Sequence, residues 1–179
     1  MRKCSPIGWL GRIALALLLL FGLHLLKSRE RAARVALLGS FLARYQIEKL
    51  MESLTDGYLR ALGEQDAQRR AQIWELLATT EKNLALQLQS FADDFGRVPA
   101  DEARVSTLAI ALPYASRWFP TATFDMREML QLHARGIAAV VAQAPGGEEG
   151  MGQERKRQAY TVTAELYLLQ HSCHWFCRS

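Results

Sequence analysis

The sequence predicts an all-α protein in which an N-terminal transmembrane helix is followed by an antiparallel bundle of about four helices. Two patterns support this class: a mostly apolar stretch over residues 7–26, and apolar residues that recur at helical spacing through much of the remaining chain. The sequence shows no strand-like alternation bounded by hairpin turns. We therefore divide the chain into a membrane anchor with a short basic tail, residues 1–27, and a helical domain, residues 28–179.

The apolar stretch reads IGWLGRIALALLLLFGLHLL and contains only Arg12 and His24 as polar interruptions. Twenty residues at a rise of 1.5 Å span about 30 Å, which is the thickness of the hydrocarbon layer of a bilayer. Trp9 suits the lipid–water interface, and Arg12 is close enough to one end to reach the headgroups. No small-x-small cleavage site follows, so a retained signal anchor is favoured over a cleaved signal peptide.

Basic residues around the anchor account for the positive charge of the chain. Residues 1–34 hold seven Lys and Arg and one acidic residue, a net charge of +6, whereas residues 35–179 have a net charge of −2. Because the folded part has no basic excess, nucleic-acid binding is not expected. The residues after the apolar stretch that we expect to meet lipid headgroups are Lys27, Arg29, Arg31 and Arg34.

The composition also indicates where the protein resides. Arginine outnumbers lysine seventeen to five, a bias of GC-rich coding sequences that indicates a bacterial source, so the membrane is expected to be the cytoplasmic (inner) one, crossed once. Basic residues nearly balance across the two ends of the apolar stretch, so the positive-inside rule does not fix the orientation. The signal-like layout of the N-terminus slightly favours a periplasmic domain.

Periodicity and capping signals predict the helices in order. The expected helices are one that leaves the membrane and continues to Gly63, followed by helices over residues 64–95, 101–112, 125–144 and 153–177. The second helix has the clearest apolar stripe and resembles the seam of a bundle. Asp125 and Glu128 form a capping-box pattern at the start of the fourth. An aromatic loop, residues 113–120, and a flexible Gly-rich loop, residues 145–152, connect the later helices.

The closing residues HSCHWFC gather two of the four histidines and two of the three cysteines. The candidate ligands of a copper or zinc ion are Cys173, His174, Cys177 and His171. On a helix these four span about half of the circumference, so one helix offers only a pair of ligands, and a closed site needs others from a second element or subunit. His133 lies on the expected buried side of its helix, and we interpret it as a partly buried surface histidine.

Two other interpretations of the cysteines stay open. Cys173 and Cys177 are four residues apart, and free cysteines often pack as small apolar side chains in a core. Alternatively they form a disulfide, because Cα atoms at this helical spacing are about 6 Å apart, within the permitted range.

The aromatic loop offers a second candidate site. Tyr114, Trp118 and Phe119 lie between two prolines and beside Arg117, and these residue types dominate the strongest contacts of protein interfaces. We regard them as candidate partner-binding residues. The alternative is that the aromatic rings plug one end of the bundle.

No catalytic residue is predicted. The sequence contains no GxSxG, P-loop, GxGxxG or HExxH motif, and its paired carboxylates lack an accompanying base and nucleophile. An enzyme is therefore not favoured. The expected function is a scaffold, assembly factor or subunit of an envelope complex that binds a protein partner or a second copy of the chain; the alternative is a metal-binding or thiol-redox protein that uses the HSCHWFC segment.

Overall fold

The computed structural model describes residues 6–108, 112–143 and 151–179. Within these ranges the protein is mostly helical, as the sequence predicts. The α-helices are α1 Pro6–Leu42, α2 Ile47–Gly63, α3 Ala67–Phe95, α4 Ala100–Ala103, α5 Ala115–Trp118, α6 Met126–Ala142 and α7 Met151–Arg178. Two short strands, β1 Arg104–Ser106 and β2 Thr123–Asp125, form an antiparallel pair, and a 3-10 turn precedes β2.

The helix predicted to continue from the membrane to Gly63 is two helices, so that expectation is wrong. α1 ends at Leu42 and α2 begins at Ile47. In the turn between them, the Tyr45 hydroxyl donates to Asp94 Oδ2 at 2.7 Å and the Gln46 N–H donates to Gln87 Oε1 at 2.7 Å. Since the turn contains neither Gly nor Pro, it depends on partners from α3 that the local sequence does not reveal.

α2 and α3 pack closely against each other. α3 matches the predicted second helix and begins where the Asp66 side chain accepts from the Arg69 N–H at 2.8 Å. A methyl group on Gly57 of α2 would overlap the Leu77 side chain of α3. Gly57 therefore permits the close approach of the two helices.

The remaining long helices complete the domain. α3 packs on α6, α6 packs on α7, and α7 also contacts α1 and α2. The largest fully buried side chains are Phe91, Phe95, Phe176, Leu54, Leu84, Leu88, Met126, Leu130, Ile137, Val105 and Val162. Phe95 meets Phe41 and Phe176 edge to face, with ring centroids 5.3 Å and 5.8 Å away. The second part of α1 therefore contributes to the core.

The later helices start close to their predicted positions. Asp125 caps α6 by accepting from the Arg127 N–H at 2.9 Å, which agrees with the predicted capping signal. The last residue expected in that helix, Ala144, and residues 145–150 of the expected flexible loop lie outside the described residues. α7 begins at Met151, two residues before the predicted start.

The expectation of a helix from residue 101 to residue 112 is wrong after Ala103, and the expectation of no strands is wrong as well; residues 109–111 of the expected helix lie outside the described residues. α4 is a single turn, and β1 pairs with β2 in the register Val105 to Phe124. Strands of three residues are too short to show an alternating pattern. The end of α7 holds β1 in place, because the Ser106 N–H donates to Ser179 Oγ at 2.8 Å and Trp175 Nε1 donates to the Ser106 carbonyl at 2.9 Å.

Candidate functional site

The two cysteines of the predicted cluster are more buried than its two histidines. Cys173 and Cys177 are free and pack against the core, whereas His171 and His174 are exposed. Burial, with a smaller contribution from the neighbouring thiol, raises the pKa of Cys173 to about 12, and burial also raises the pKa of Cys177. Both thiols therefore hold their protons more tightly than an exposed cysteine does, which makes them poor nucleophiles.

Over residues 6–108, 112–143 and 151–179, no group of three His, Cys, Asp or Glu side chains converges as metal ligands do. The arrangement thus agrees best with the interpretation of Cys173 and Cys177 as packed thiols. The copper or zinc site and the disulfide stay predictions.

His133 is more deeply buried than the sequence indicates, with 7% of its surface exposed. Its Nε2 lies 2.9 Å from Ser172 Oγ, and its Nδ1 lies 3.6 Å from Glu165 Oε2. Sequence reasoning missed Glu165 and Ser172 as its partners, since they belong to α7 and follow it by more than thirty residues. The contact is a polar link between α6 and α7.

A second buried polar cluster was also missed. Glu81 is 2% exposed, and it accepts from the Tyr58 hydroxyl at 2.6 Å and from Gln158 Nε2 at 3.2 Å. Arg155 Nη1 lies 3.9 Å from the same carboxylate. Desolvation by burial raises the pKa of Glu81, and burial together with the Glu81 charge raises the pKa of Tyr58. The cluster joins α2, α3 and α7.

The basic residues after the apolar stretch fall into two pairs. One pair faces the protein: Lys27 Nζ donates to the Ser179 carbonyl, and Arg34 Nη1 donates to the Phe176 carbonyl at 3.4 Å with its guanidinium over the Phe176 ring. The Glu30 carboxylate lies between them, with Oε2 at 3.6 Å from Lys27 Nζ and Oε1 at 3.3 Å from Arg34 Nη2. Positive charge at the C-terminal end of a helix is favourable, so this pair stabilises the packing of α7 on α1.

The other predicted membrane residues are exposed. Arg29 and Arg31 are exposed on the second part of α1, and Trp9 and Arg12 are exposed on its first part. In the described part of the chain, α1 is the helix long and apolar enough to cross a membrane, and the mean hydropathy of its most apolar 18 residues is 2.0.

The residues of the aromatic loop lie on the surface. Trp118 is 76% exposed, and Phe119 and Tyr114 are exposed as well, which argues against the plug interpretation. Arg117 lies over the Tyr114 ring, 5.5 Å from its centroid. Tyr114 has a left-handed backbone with a φ of 55°, and its N–H donates to Glu30 Oε2 at 3.1 Å. The loop therefore lies against α1.

The structure contains an open groove that sequence reasoning did not identify. It runs between α2 and α7, has α3 beneath it, and has a volume of about 490 Å³. We call it the α2–α7 groove. It is lined by Leu42, Ile47, Glu48, Met51, Glu52, Thr55, Asp56, Leu88, Phe91, Thr163, Leu166, Tyr167, Leu169, Gln170 and Cys173. Most of this lining is apolar, which is typical of a site for a partner's side chains.

One wall of the α2–α7 groove is acidic. Glu48, Glu52 and Asp56 follow one another at intervals of four residues on α2, are exposed, and form no ion pair with any residue described in the structure. The lining residues of the α7 wall carry no charge. The three carboxylates therefore give the groove a negative field that attracts cations along one edge.

This geometry suits one known mode of recognition. An amphipathic helix can place apolar residues on the floor of such a groove while basic residues along its edge meet the acidic wall.

Comparison of the chain with protein-family models, with curated protein sequences and with solved structures finds no match.

Proposed function

We propose that the protein is a single-pass membrane-anchored scaffold whose helical domain binds a partner protein at the membrane surface. The observation that carries this proposal is the contrast along α1. Its large apolar side chains from Trp9 to Leu26 are exposed, whereas Arg34 and Leu38 further along the same helix are buried against the rest of the protein. An apolar surface of that length needs an apolar environment, and a bilayer supplies one of matching thickness.

The helical domain is proposed to be an antiparallel bundle of α2, α3, α6 and α7. Contacts between sequence-distant residues support this arrangement: His133 lies near Ser172, whereas Gly136 lies near Glu165, so α6 and α7 run in opposite directions. Neighbouring helices in such bundles leave grooves between them when their separation widens, and the α2–α7 groove lies at such a place.

We propose that the partner presents an amphipathic helix with an apolar face and basic residues along one edge. The acidic wall argues for this chemistry, because three unpaired carboxylates on one side of an apolar floor favour cations and repel acidic partners. Met51 adds a flexible and polarisable side chain to the floor, a residue type that adapts to the shape of different ligands.

The proposed location is the cytoplasmic membrane of a bacterium with the helical domain on the periplasmic side. A reporter fused to the C-terminus tests the orientation. Alkaline phosphatase becomes active only outside the cytoplasm, where its disulfides form. An active phosphatase fusion supports the proposed side, and an inactive one places the domain in the cytoplasm.

A binding experiment on the full chain in nanodiscs of zwitterionic lipid tests the groove. The probe is a fluorescent helical peptide of leucine and lysine, with leucines at positions i, i+3, i+4 and i+7 and the lysines along one edge. The variant Glu48→Gln, Glu52→Gln, Asp56→Asn removes the charge of the acidic wall. We expect this variant to weaken peptide binding by at least about tenfold, the equivalent of about 1.4 kcal/mol.

Matched variants make the result specific to the groove. The control Glu75→Gln, Asp101→Asn, Glu102→Gln neutralises three exposed acids elsewhere and should leave the affinity unchanged. Because peptide bound by lipid contributes equally in both variants, the difference between them reports on the groove. Thr163→Trp, which fills the groove from the α7 wall, should weaken binding of the peptide as well. Equal affinity of the wild type and of the acidic-wall variant would overturn the proposed site.

A further inference from the structure

We propose that the aromatic loop, residues 113–120, together with the preceding Leu112, is a second lipid contact that rests in the headgroup layer beside the exit of α1 from the membrane. This inference rests on the proposed membrane anchor. It replaces the protein partner predicted for these residues with a bilayer surface, and it assigns a chemical class of ligand to the exposed aromatic side chains.

The loop is held against α1 close to the end of the apolar stretch. The Tyr114 N–H donates to Glu30 Oε2 at 3.1 Å, and Glu30 follows the last apolar residue of the stretch, Leu26, by four positions. At 1.5 Å per residue this contact lies about 6 Å along α1 beyond the apolar stretch. Trp118 is one turn from Tyr114, because its N–H donates to the Tyr114 carbonyl at 3.3 Å. The loop is thus held at the level of the lipid headgroups.

The chemistry of the loop supports the same contact. It exposes Leu112, Tyr114, Trp118 and Phe119 together, an apolar set that is unfavourable in water. Tryptophan and tyrosine are enriched where a bilayer meets water, because each has an apolar ring and a polar group that stays hydrated. A lipid interface therefore accommodates the loop without a further protein.

Positive charges lie at the same end of the protein as the loop. Four exposed arginines lie at this end of the protein: Arg29, Arg31, Arg117 and Arg178. Arg29 and Arg31 belong to α1 and Arg117 to the loop, and Arg178 is next to Ser179, which Lys27 contacts. The nearby carboxylate, Glu30, is already paired with Lys27 and Arg34. The free positive charges favour anionic phospholipids.

A second contact has a consequence for the domain as a whole. A single helix leaves a domain free to rotate and tilt on the membrane, whereas a helix and a loop side by side fix its orientation. The loop would thereby hold the α2–α7 groove at a constant angle to the bilayer.

Fluorescence of single-tryptophan variants tests the proposal on the full chain in vesicles. Three variants replace all tryptophans but one by phenylalanine and retain Trp9, Trp74 or Trp118. Trp9 reports on the anchor, and Trp74 reports on the distant part of the domain. The Trp74 ring packs on Tyr58 at a centroid distance of 6.0 Å and lies about 30 Å along α3 from Phe95. Lipids brominated near the headgroup end of their acyl chains serve as the quencher.

We expect strong quenching of Trp9, clear quenching of Trp118 with a blue-shifted emission, and little quenching of Trp74. If Trp9 is quenched and Trp118 behaves like Trp74, the anchor stands and the lipid contact of the loop is overturned. If Trp9 itself escapes quenching, the proposed anchor fails and the inference fails with it.

A charge variant tests the lipid class. Quenching of Trp118 should increase when phosphatidylglycerol is added to phosphatidylcholine vesicles, and this increase should be reduced at least about twofold in the variant Arg29→Gln, Arg31→Gln, Arg117→Gln. The control Arg60→Gln, Arg69→Gln, Arg135→Gln changes three exposed arginines of other helices and should keep the increase. Equal increases in both variants would overturn the role of the arginines.

Discussion

The first part of α1 and the interior of the helical domain are opposites in how they place polar and apolar groups. From Trp9 to Leu26, leucine and phenylalanine side chains face outward without protein cover. Inside the domain, by contrast, Arg34, Glu81 and His133 are buried, and each has a polar partner. The first region favours apolar surroundings, and in the second the protein itself supplies the hydrogen bonds that water would otherwise give.

The comparison teaches that, if the proposed anchor holds, one chain is suited to two different surroundings. The outward apolar side chains of the first region are covered by no described part of the protein, and we propose that lipid covers them, whereas the buried polar groups of the second depend on neighbours brought from distant parts of the sequence. A substitution should therefore have opposite consequences in the two regions, which makes the comparison testable.

The largest expected effect is the loss of membrane insertion in the variant Leu18→Arg, Leu19→Arg. Both leucines are exposed near the middle of the apolar stretch, where each arginine costs about 2.5–3.5 kcal/mol. The variant should be released from membranes by alkaline carbonate, whereas the wild type should stay in the membrane under the same treatment. The control Leu86→Arg, Leu132→Arg changes two exposed leucines of the helical domain and should stay in the membrane. Retention of the Leu18, Leu19 variant would contradict the apolar-environment argument.

The next effect concerns the interior, where Glu81→Ala should destabilise the domain by about 3–5 kcal/mol. The substitution leaves the Tyr58 hydroxyl, Gln158 and Arg155 without their buried partner. Urea unfolding of the detergent-solubilised chain measures the loss. Glu75→Ala, at an exposed position of the same helix, should change stability by less than about 0.5 kcal/mol. Similar losses for both variants would show that the buried carboxylate is not held by its partners.

A matched pair on one helix sharpens the comparison. Leu38→Ala should cost about 2–5 kcal/mol of unfolding free energy, because Leu38 is 4% exposed and its removal leaves a cavity. Leu18→Ala should cost less than about 0.5 kcal/mol in the same urea experiment, since Leu18 makes no core contact. Equal costs would mean that the first part of α1 packs on protein.

The sequence predicts those parts of the protein that depend on neighbouring residues. The apolar stretch, the stripe of α3 and the cap at Asp125 are local patterns, and each is found where it was expected. The break after Leu42 and the β1–β2 pair arise from contacts across the fold, with Asp94 and Gln87 in the first case and Trp175 in the second. Local periodicity carries no information about such contacts.

The candidate sites follow the same rule. The sequence left open whether the aromatic loop plugs the bundle or meets a partner, and only the fold shows that its rings are exposed. The sequence also grouped Cys173 and Cys177 with His171 and His174, which the fold places at different depths. The α2–α7 groove needs two helices far apart in the chain and could not be read from either alone. Glu81 did leave a signal, since an acidic residue within an otherwise apolar stripe indicates a buried polar group.

The smallest expected effect is a pH dependence of stability that originates at Glu81. Burial raises its pKa in the folded state above the unfolded value of about 4.3, so the folded protein holds this proton more tightly than the unfolded chain. The contribution of Glu81 to stability is therefore complete below the unfolded pKa and is lost as the pH rises through the folded pKa. Urea unfolding of the wild type and of Glu81→Gln should show the wild type losing stability relative to the variant over this interval, by about 1.4 kcal/mol for each unit of pKa difference. Glu75→Gln is the control and should follow the wild type at every pH. A wild type that gains stability relative to Glu81→Gln with rising pH would mean that Tyr58 and Arg155 outweigh burial, and that the interior accommodates the charge more fully than its low exposure indicates.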